Sequence, residues 1–411
     1  MRLLRTFVAS GLVLALSATG ASAGTGTGSS PWTATWATAL QRPSANFSPN
    51  WSEQGFAGHT VRQVVRVSAG GVAARIRLSN VYGTTPLKIT GATLARPASG
   101  AAIRQETLRH ITVDHARAFT IPAGAELASD PVLLPLADLE SVAVTLYVAN
   151  PTGPATYHAQ SYATAYRASG DHRADPSPDA FTETSQAWYF LSGVDVITLR
   201  NNKGVAVFGD SIVEGFGSTM DANNRYPDEL AERLDGRAVL NQGIGGNRIT
   251  VDSAFLGDKG LARFRRDVLG QPGVGTVIVL EGINDIGFTE ARFPLGAPHT
   301  EVTAEQVIAA HRDLIRLAHA RQIKIIGATL LPFKGSAYYT ERSEAKRDAI
   351  NEWIRTSGEY DSVLDFDRVM TSPADPDQLA PAYDTGDHLH PNDAGYRAMG
   401  DATQPAVITI R

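Results

Sequence analysis

The stretch that decides the fold is Gly204-Val205-Ala206-Val207-Phe208-Gly209-Asp210-Ser211-Ile212, an apolar run that stops in a Gly-Asp-Ser turn. The run predicts a buried β-strand, and the turn after it opens toward a helix. Open α/β sheets bind ligands in the crevice at the carboxyl ends of their strands. A serine at this place is held where a nucleophile is needed, although most Gly-Asp-Ser tripeptides are ordinary turns.

Three further segments follow in order, the first after a short apolar run at 238–240 and the second as an apolar run that ends in polar residues. They are Leu240-Asn241-Gln242-Gly243-Ile244-Gly245-Gly246-Asn247-Arg248, Val277-Ile278-Val279-Leu280-Glu281-Gly282-Ile283-Asn284-Asp285 and, near the C-terminus, Asp387-His388-Leu389-His390-Pro391-Asn392. Together with the Gly-Asp-Ser turn, they resemble the four sequence blocks of the SGNH hydrolases, also called the GDSL esterase/lipase family. The resemblance covers roughly residues 200–411. Ile212 stands where the family name has Leu, a swap of similar volume.

Hydrolysis of a carboxylic ester requires a nucleophile, a base, a group that orients the base and donors for the oxyanion. Ser211 is the candidate nucleophile, His390 the candidate base and Asp387 the residue that orients its imidazole. The resemblance assigns the last two residues the same roles. In isolation, their segment would also fit a surface turn that caps the last helix near Asn392.

The resemblance also implies an oxyanion hole. Its donors would be the backbone N–H of Ser211, Gly246 from the second block and the side-chain amide of Asn284 from the third. Taken alone, the last two would be a tight-turn glycine and a strand-end asparagine. Asp210 and Asp285 are expected to brace the turns that carry these groups.

His388 competes with His390 for the role of the base. The family motif has its histidine before proline, which selects His390 and leaves His388 as a structural or substrate-side residue. Asp387, His388 and His390 could also be read as metal ligands, but no second ligand cluster is evident. We therefore predict neither a metal nor a cofactor.

The N-terminus has the pattern of a secretory signal peptide. Residues 1–23 combine Arg2 and Arg5 with an apolar stretch and end in Ala21-Ser22-Ala23, after which we expect cleavage and export. A retained anchor is the alternative. Residues 24–31 read as a flexible leader, and no later segment is apolar enough to cross a bilayer.

The composition of the chain excludes several classes of function. A chain of 411 residues with 43% hydrophobic content is long enough for two domains. It has no cysteine, which excludes a thiol nucleophile, a zinc–thiolate site and an iron–sulfur cluster. A net charge of −5 argues against nucleic acid as a partner.

Two halves of the chain differ in periodicity. Residues 32–198 alternate apolar with polar or small residues, for example at 60–67, 73–78 and 141–148, which predicts an antiparallel, jelly-roll-like β-sandwich. Residues 199–411 predict a three-layer α/β/α catalytic domain with a flavodoxin-like parallel sheet. Its predicted strands are 204–208, 238–241, 275–281, 323–330 and 362–366, and its helices lie near 225–234, 303–320, 341–357 and 392–402.

Two predicted loops, 286–300 and 332–340, would border the site. Their aromatic residues suit sugar rings or aryl and acyl chains, with ordinary packing as an equal alternative. The candidate substrate rim consists of Phe288, Phe293, Tyr338, Tyr339 and His388.

These features favour a secreted serine esterase that forms an acyl-enzyme. The preferred substrate is an acetylated polysaccharide or another short-chain acyl ester, with no nucleic acid partner and no membrane span. The alternatives are a lipase or arylesterase of longer acyl preference, a non-catalytic carbohydrate-binding protein, and a metal-dependent hydrolase that a chelator would inactivate.

Overall fold

A computed structural model describes residues 30–47, 49–200, 202–291 and 299–409. The predicted signal peptide, most of the predicted leader and Phe293 lie outside these ranges. From Pro31 onward the chain forms one compact unit, in which an antiparallel part contacts a parallel part. The domain limits at 198 and 199 stay a prediction.

The antiparallel part contains two large sheets. In the described residues, their strand orders are β1-β14-β3-β8 and β12-β11-β2-β9-β5-β6. The short pairs β10–β13 and β4–β7 complete this part. Its elements are β1 (Trp32–Ala37), β2 (His59–Arg66), β3 (Ala73–Ser79), β4 (Leu87–Ile89), β5 (Gly91–Ala95), a 3-10 helix (Gln105–Thr107), β6 (Arg109–Ile111), β7 (Phe119–Ile121), β8 (Glu126–Ala128), β9 (Ser141–Val148), β10 (Tyr157–His158), β11 (Ala165–Ser169), β12 (Glu183–Ser185), β13 (Trp188–Tyr189) and β14 (Leu191–Ile197).

Strand β14 shows why these sheets stack as a sandwich. Val194 and Val196 point into a core that also contains Val144 of the other large sheet. Asp195 lies between them in sequence and therefore on the opposite face. There it accepts hydrogen bonds from Arg75 at 2.9 Å and Arg77 at 3.0 Å. The alternation thus gives β14 an apolar face toward the sandwich core and a polar face with Asp195 on the other side.

The parallel part has the strand order β16-β15-β17-β18-β19, with every neighbouring pair parallel. This is the flavodoxin-like order, so the predicted fold class is confirmed. Its strands are β15 (Gly204–Gly209), β16 (Val239–Gly243), β17 (Val274–Leu280), β18 (Lys324–Ala328) and β19 (Ser362–Leu364), and a hairpin pairs β20 (Thr371–Ser372) with β21 (Asp375–Leu379). Its helices are α1 (Ser211–Glu214), α2 (Tyr226–Arg233), α3 (Gly260–Phe264) with a π-helical continuation (Arg265–Leu269), α4 (Ile283–Glu290), α5 (Ala304–His319), α6 (Glu341–Thr356), α7 (Phe366–Met370), α8 (Asp393–Ala402) and α9 (Pro405–Ile408).

Helix α5 illustrates how the sequence sets the helices. Thr303 and Gln306 form a capping box at its start, and Val307 and Leu314 lie buried on one face.

The prediction of a loop over 286–300 was wrong at its beginning, because α4 continues to Glu290 and buries Phe288. In the part of the chain that the structure describes, no helix has the length and apolar character needed to cross a bilayer.

The two parts meet along strands β1 and β16. Ala34 and Ala37 of β1 pack with Leu240 in a small apolar cluster. Nearby, the Ser68 hydroxyl accepts a hydrogen bond from the Val239 N–H at 2.8 Å and lies 3.0 Å from the Val239 carbonyl. Small side chains on β1 allow this close approach of the two sheets.

Candidate active site

Ser211 lies at the carboxyl end of β15, a strand flanked by β16 and β17. Asp210 caps helix α1, because its carboxylate accepts the Ile212 N–H at 3.0 Å. Gly209 has no room for a side chain, since an added Cβ would lie 2.1 Å from the Leu280 carbonyl oxygen. The turn after β15 therefore holds the serine at the crevice where this type of sheet binds ligands.

The structure brings the three predicted catalytic residues together. Ser211 Oγ lies 2.8 Å from His390 Nε2, and His390 Nδ1 lies 2.6 Å from Asp387 Oδ2. A carboxylate only accepts hydrogen bonds, so Nδ1 carries the proton and Nε2 accepts from the serine hydroxyl. The Phe216 ring packs on the imidazole, with 4.2 Å between the ring centroids. The histidine is thereby fixed in both orientation and tautomer.

The Asp387 carboxylate is held in its ionised form. Burial alone would raise its pKa, but the hydrogen bond and charge of His390 outweigh that effect. The backbone N–H groups of Leu389 and His390 add hydrogen bonds at 3.0 and 2.9 Å. The pKa of Asp387 therefore lies well below its usual range.

The predicted oxyanion donors lie around the same serine. The Asn284 amide donates to the Asn247 carbonyl at 3.0 Å and accepts from the Tyr338 hydroxyl at 2.7 Å, which fixes its orientation. Gly246 has φ +71°, and a Cβ there would lie 2.8 Å from the Leu256 side chain. Glycine is therefore required both by the backbone conformation and by the available space. The two residues and Ser211 line one pocket.

That pocket, which we call the acyl pocket, has a volume of about 130 Å³. Its walls are mainly apolar and include aromatic rings from several loops. The lining residues are Phe47, Gln160, Ser211, Phe216, Gly245, Gly246, Phe255, Leu256, Asn284, Phe288, Tyr338 and His390. Two of these residues, Phe47 and Gln160, come from the antiparallel part.

The predicted rim residues fall in different places. Phe288 and Tyr338 line the acyl pocket. Tyr339 packs on Phe333, with 5.7 Å between ring centroids, and lies outside the described pocket wall. His388 also lies outside that wall and bonds through Nδ1 to Asp384 at 2.6 Å. Substrate contacts by Tyr339 and His388 stay predictions.

Buried ionisable side chains pack behind the turn that carries Ser211. Arg263 is fully buried, donates to the Gly209 and Gln242 carbonyls at 2.7 and 2.8 Å and stacks on Phe208. Burial raises the pKa of Asp210 to about 7 and that of Glu214 to about 8. As predicted for a bracing residue, Asp285 accepts the Ile249 N–H at 2.8 Å.

Sequence reasoning missed several of these residues. Phe47 and Gln160 lie outside the four blocks, in segments without a periodic pattern. Phe216 follows the nucleophile helix closely, so its aromatic character beside the Gly-Asp-Ser turn was the available signal. The role of Tyr338 toward Asn284 depends on how the 332–340 loop folds, which the sequence pattern does not specify.

Residues 207–398 match the family of GDSL-like lipases and acylhydrolases. Among solved structures, the acetyl xylan esterase AlAXEase is 22% identical, covers 50% of this chain and 100% of its own, and has a TM-score of 0.38. A GDSL-like lipase from Bacteroides thetaiotaomicron is 21% identical, with coverages of 50% and 87% and a TM-score of 0.37. A carbohydrate acetylesterase family member from Sinorhizobium meliloti is 18% identical, with coverages of 50% and 97% and a TM-score of 0.39. No curated protein sequence matches the chain.

The parallel sheet, the site at its strand ends and the family match define the class of this protein: it is a hydrolase of carboxylic esters. Residues 207–398 form a domain of the GDSL-like lipase/acylhydrolase family, whose members are also called SGNH hydrolases.

Proposed function

We propose that the protein is a secreted serine esterase that removes short acyl groups through an acyl-enzyme. The observation that carries this proposal is the hydrogen-bonded chain from Ser211 Oγ through the His390 imidazole to the Asp387 carboxylate. The nucleophile, the base and the group that orients the base each lie at hydrogen-bonding distance from the next.

In the proposed reaction, Ser211 Oγ attacks the acyl carbonyl carbon and passes its proton to His390 Nε2. The negative charge moves to the carbonyl oxygen, where the Ser211 N–H, the Gly246 N–H and the Asn284 amide are the candidate donors. His390 then protonates the leaving alcohol, and the acyl group stays bound to the serine. A water molecule releases it in the reverse order of proton transfers, and Asp387 stabilises the imidazolium in both halves.

The size and character of the acyl pocket support a small acyl group. Its volume of about 130 Å³ is close to that of engineered cavities which bind benzene, roughly 150 Å³. An acetyl group fits within this volume, whereas a long fatty acyl chain would have to extend beyond it. Acetylated polysaccharide is our proposed natural substrate, and export rests on the predicted signal peptide. The apolar walls keep an arylesterase as the second candidate.

The test is the hydrolysis of nitrophenyl esters from acetyl to dodecanoyl by the mature protein, by Ser211→Ala and by Ser372→Ala. Ser372 is a buried serine of β20 and serves as the matched control. We expect rapid acetyl-ester turnover that a chelator does not change, that Ser211→Ala abolishes and that Ser372→Ala retains. Turnover that survives in Ser211→Ala would overturn the serine mechanism.

A covalent probe adds a readout that does not depend on the chosen ester. A fluorophosphonate should label the wild-type protein once, at the peptide that contains Ser211, and leave Ser211→Ala unlabelled. Loss of turnover with chelator would point instead to the metal-dependent alternative. A preference for long acyl chains would indicate a lipase.

A further inference from the structure

We propose that the antiparallel part of the chain completes the acyl pocket and sets the acyl length through Phe47 and Gln160. This inference rests on the proposed esterase function and concerns the same pocket. It assigns the sandwich a role in substrate selection at the reacting centre, whereas a detached binding module would act elsewhere on the substrate.

Phe47 contributes an aromatic ring to the wall of the acyl pocket. It packs against both large apolar cores, that of the sandwich and that of the parallel part. Its ring centroid lies 6.5 Å from that of Phe255, and both rings line the acyl pocket. A large side chain from the sandwich therefore occupies space into which a longer acyl chain would extend.

Gln160 contributes a polar side chain to the same wall. Its amide nitrogen donates to the Tyr162 hydroxyl at 3.2 Å, so the amide oxygen points away from Tyr162. That oxygen faces Gly245, where an added Cβ would lie only 2.5 Å away. The sandwich thus holds an amide against the glycine next to Gly246, and this amide limits the width of the pocket beside the predicted oxyanion donors.

The wall residues Phe255 and Leu256 are also anchored to the antiparallel part. Gln41 donates to the Phe255 carbonyl at 2.9 Å and accepts the Ala159 N–H at 3.0 Å, so it joins the 253–258 loop to the chain just before Gln160. At the end of this loop, Asp258 accepts from the Tyr82 hydroxyl at 2.7 Å.

The same loop is connected to the proposed oxyanion hole. Asn247 donates from its side chain to the Leu256 and Asp258 carbonyls at 2.7 and 3.0 Å, and its own carbonyl accepts the Asn284 amide. The width of the pocket is therefore set by contacts that begin in the antiparallel part. Removal of a wall side chain from that part should enlarge the pocket while leaving the Ser211–His390 contact in place.

The experiment compares Phe47→Ala with wild type on acetyl, butanoyl, hexanoyl and octanoyl nitrophenyl esters, using the full-length mature protein. The matched control is Phe119→Ala, because Phe119 is a partly buried ring of the same sandwich, in strand β7 away from the pocket wall. We expect the ratio of kcat/KM for hexanoyl over acetyl ester to rise about tenfold in Phe47→Ala. The ratio should stay within twofold of wild type in Phe119→Ala.

A second, independent variant guards against a folding defect at Phe47. Gln160→Ala should raise the same ratio, whereas Gln54→Ala, at an exposed glutamine of the sandwich, should not. Unchanged ratios in both Phe47→Ala and Gln160→Ala, with activity that still requires Ser211, would overturn this inference alone. Absent ester turnover in the wild type, or turnover without Ser211, would instead overturn the proposed function.

Discussion

The two parts of this molecule use loops in different ways. In the parallel part, Ser211, Gly246 and Asn284 all follow the carboxyl ends of adjacent strands. Parallel strands end at the same edge of the sheet, so residues distant in sequence converge there. In the antiparallel part, strand ends alternate between the two edges, and only a few loop residues reach the site. The parallel part thus supplies the reacting groups and most of the acyl-pocket wall, and the antiparallel part supplies the wall residues Phe47 and Gln160 together with hydrogen bonds that anchor the wall.

Mutations in the two parts should therefore affect ester hydrolysis in different ways. Changes to the strand-end residues of the parallel part should lower kcat for every ester to a similar extent. Changes to the sandwich residues at the pocket should alter the ranking of esters. The following predictions test this division, beginning with the largest effect.

Asp387→Asn should reduce kcat by about 10³- to 10⁴-fold, with KM within a few-fold of wild type. The amide can donate to the imidazole and favour the wrong tautomer, and it cannot stabilise the imidazolium. Steady-state kinetics on acetyl and hexanoyl esters would measure both constants. Asp384→Asn is the control, since Asp384 bonds to His388. A loss below tenfold in Asp387→Asn, or an equal loss in the control, would contradict the assigned role of Asp387.

Asn284→Ala should lower kcat by about 10²- to 10³-fold, the usual effect of removing one oxyanion donor. The ratio between acetyl and hexanoyl esters should stay unchanged, because the donor acts on the carbonyl oxygen that all esters share. An altered ester ranking without a loss of kcat would show that Asn284 acts as a wall residue instead.

Tyr338→Phe should produce a smaller loss, about fivefold to tenfold in kcat. The ring remains, so the pocket keeps its shape, but the hydroxyl that orients the Asn284 amide at 2.7 Å is removed. Loss of a single neutral hydrogen bond is worth about 1 kcal/mol, which corresponds to a factor of this size. The double variant with Asn284→Ala should lose no more than Asn284→Ala alone, because Tyr338 acts through that amide. Additive losses would contradict this positioning role.

Much of the parallel part could be predicted from the sequence because its strands and the turns after them are marked by short local patterns of residues. Apolar runs such as Val205–Val207 mark buried strands, and the turn residues after them mark the edge where ligands bind. The resemblance to known sequence blocks then selected His390 over His388, and the structure places His390 against Ser211. The same rules failed for residues 286–290, because they did not identify the short helix α4, which begins at Ile283 directly after Gly282 with its φ of +126°.

The sandwich residues of the pocket could not be predicted in this way. Phe47 and Gln160 acquire their places only when the two parts pack against each other. Nothing in a strand or helix period encodes that contact, since it depends on side-chain shapes from both parts. The buried pair His158 and Glu214 is a second contact of this kind, and it gives the smallest and most specific prediction.

His158 of β10 and Glu214 of α1 lie 3.5 Å apart across the junction. Burial lowers the pKa of His158 to about 4 and raises that of Glu214 to about 8. Between pH 4.5 and 6.5, unfolding lets His158 gain a proton and Glu214 lose one, so their effects on the pH dependence of stability oppose each other. Above pH 6.5 the Glu214 effect remains, with a contribution from Asp210 up to about pH 7. The free energy of unfolding should therefore fall as the pH rises from 6.5 to 8.

Glu214→Gln should remove much of that fall. We expect the decrease in unfolding free energy between pH 6.5 and pH 8.5 to shrink by about 1–2 kcal/mol, since one pKa unit corresponds to about 1.4 kcal/mol. Urea unfolding at the two pH values measures it, with Glu232→Gln as the control because Glu232 pairs with Arg66 at the exposed edge of the same junction. An unchanged decrease in Glu214→Gln would mean that the carboxyl is already ionised in the folded protein. Burial at the junction would then not keep Glu214 protonated, and the antiparallel part would not control the charge of the helix that carries the nucleophile.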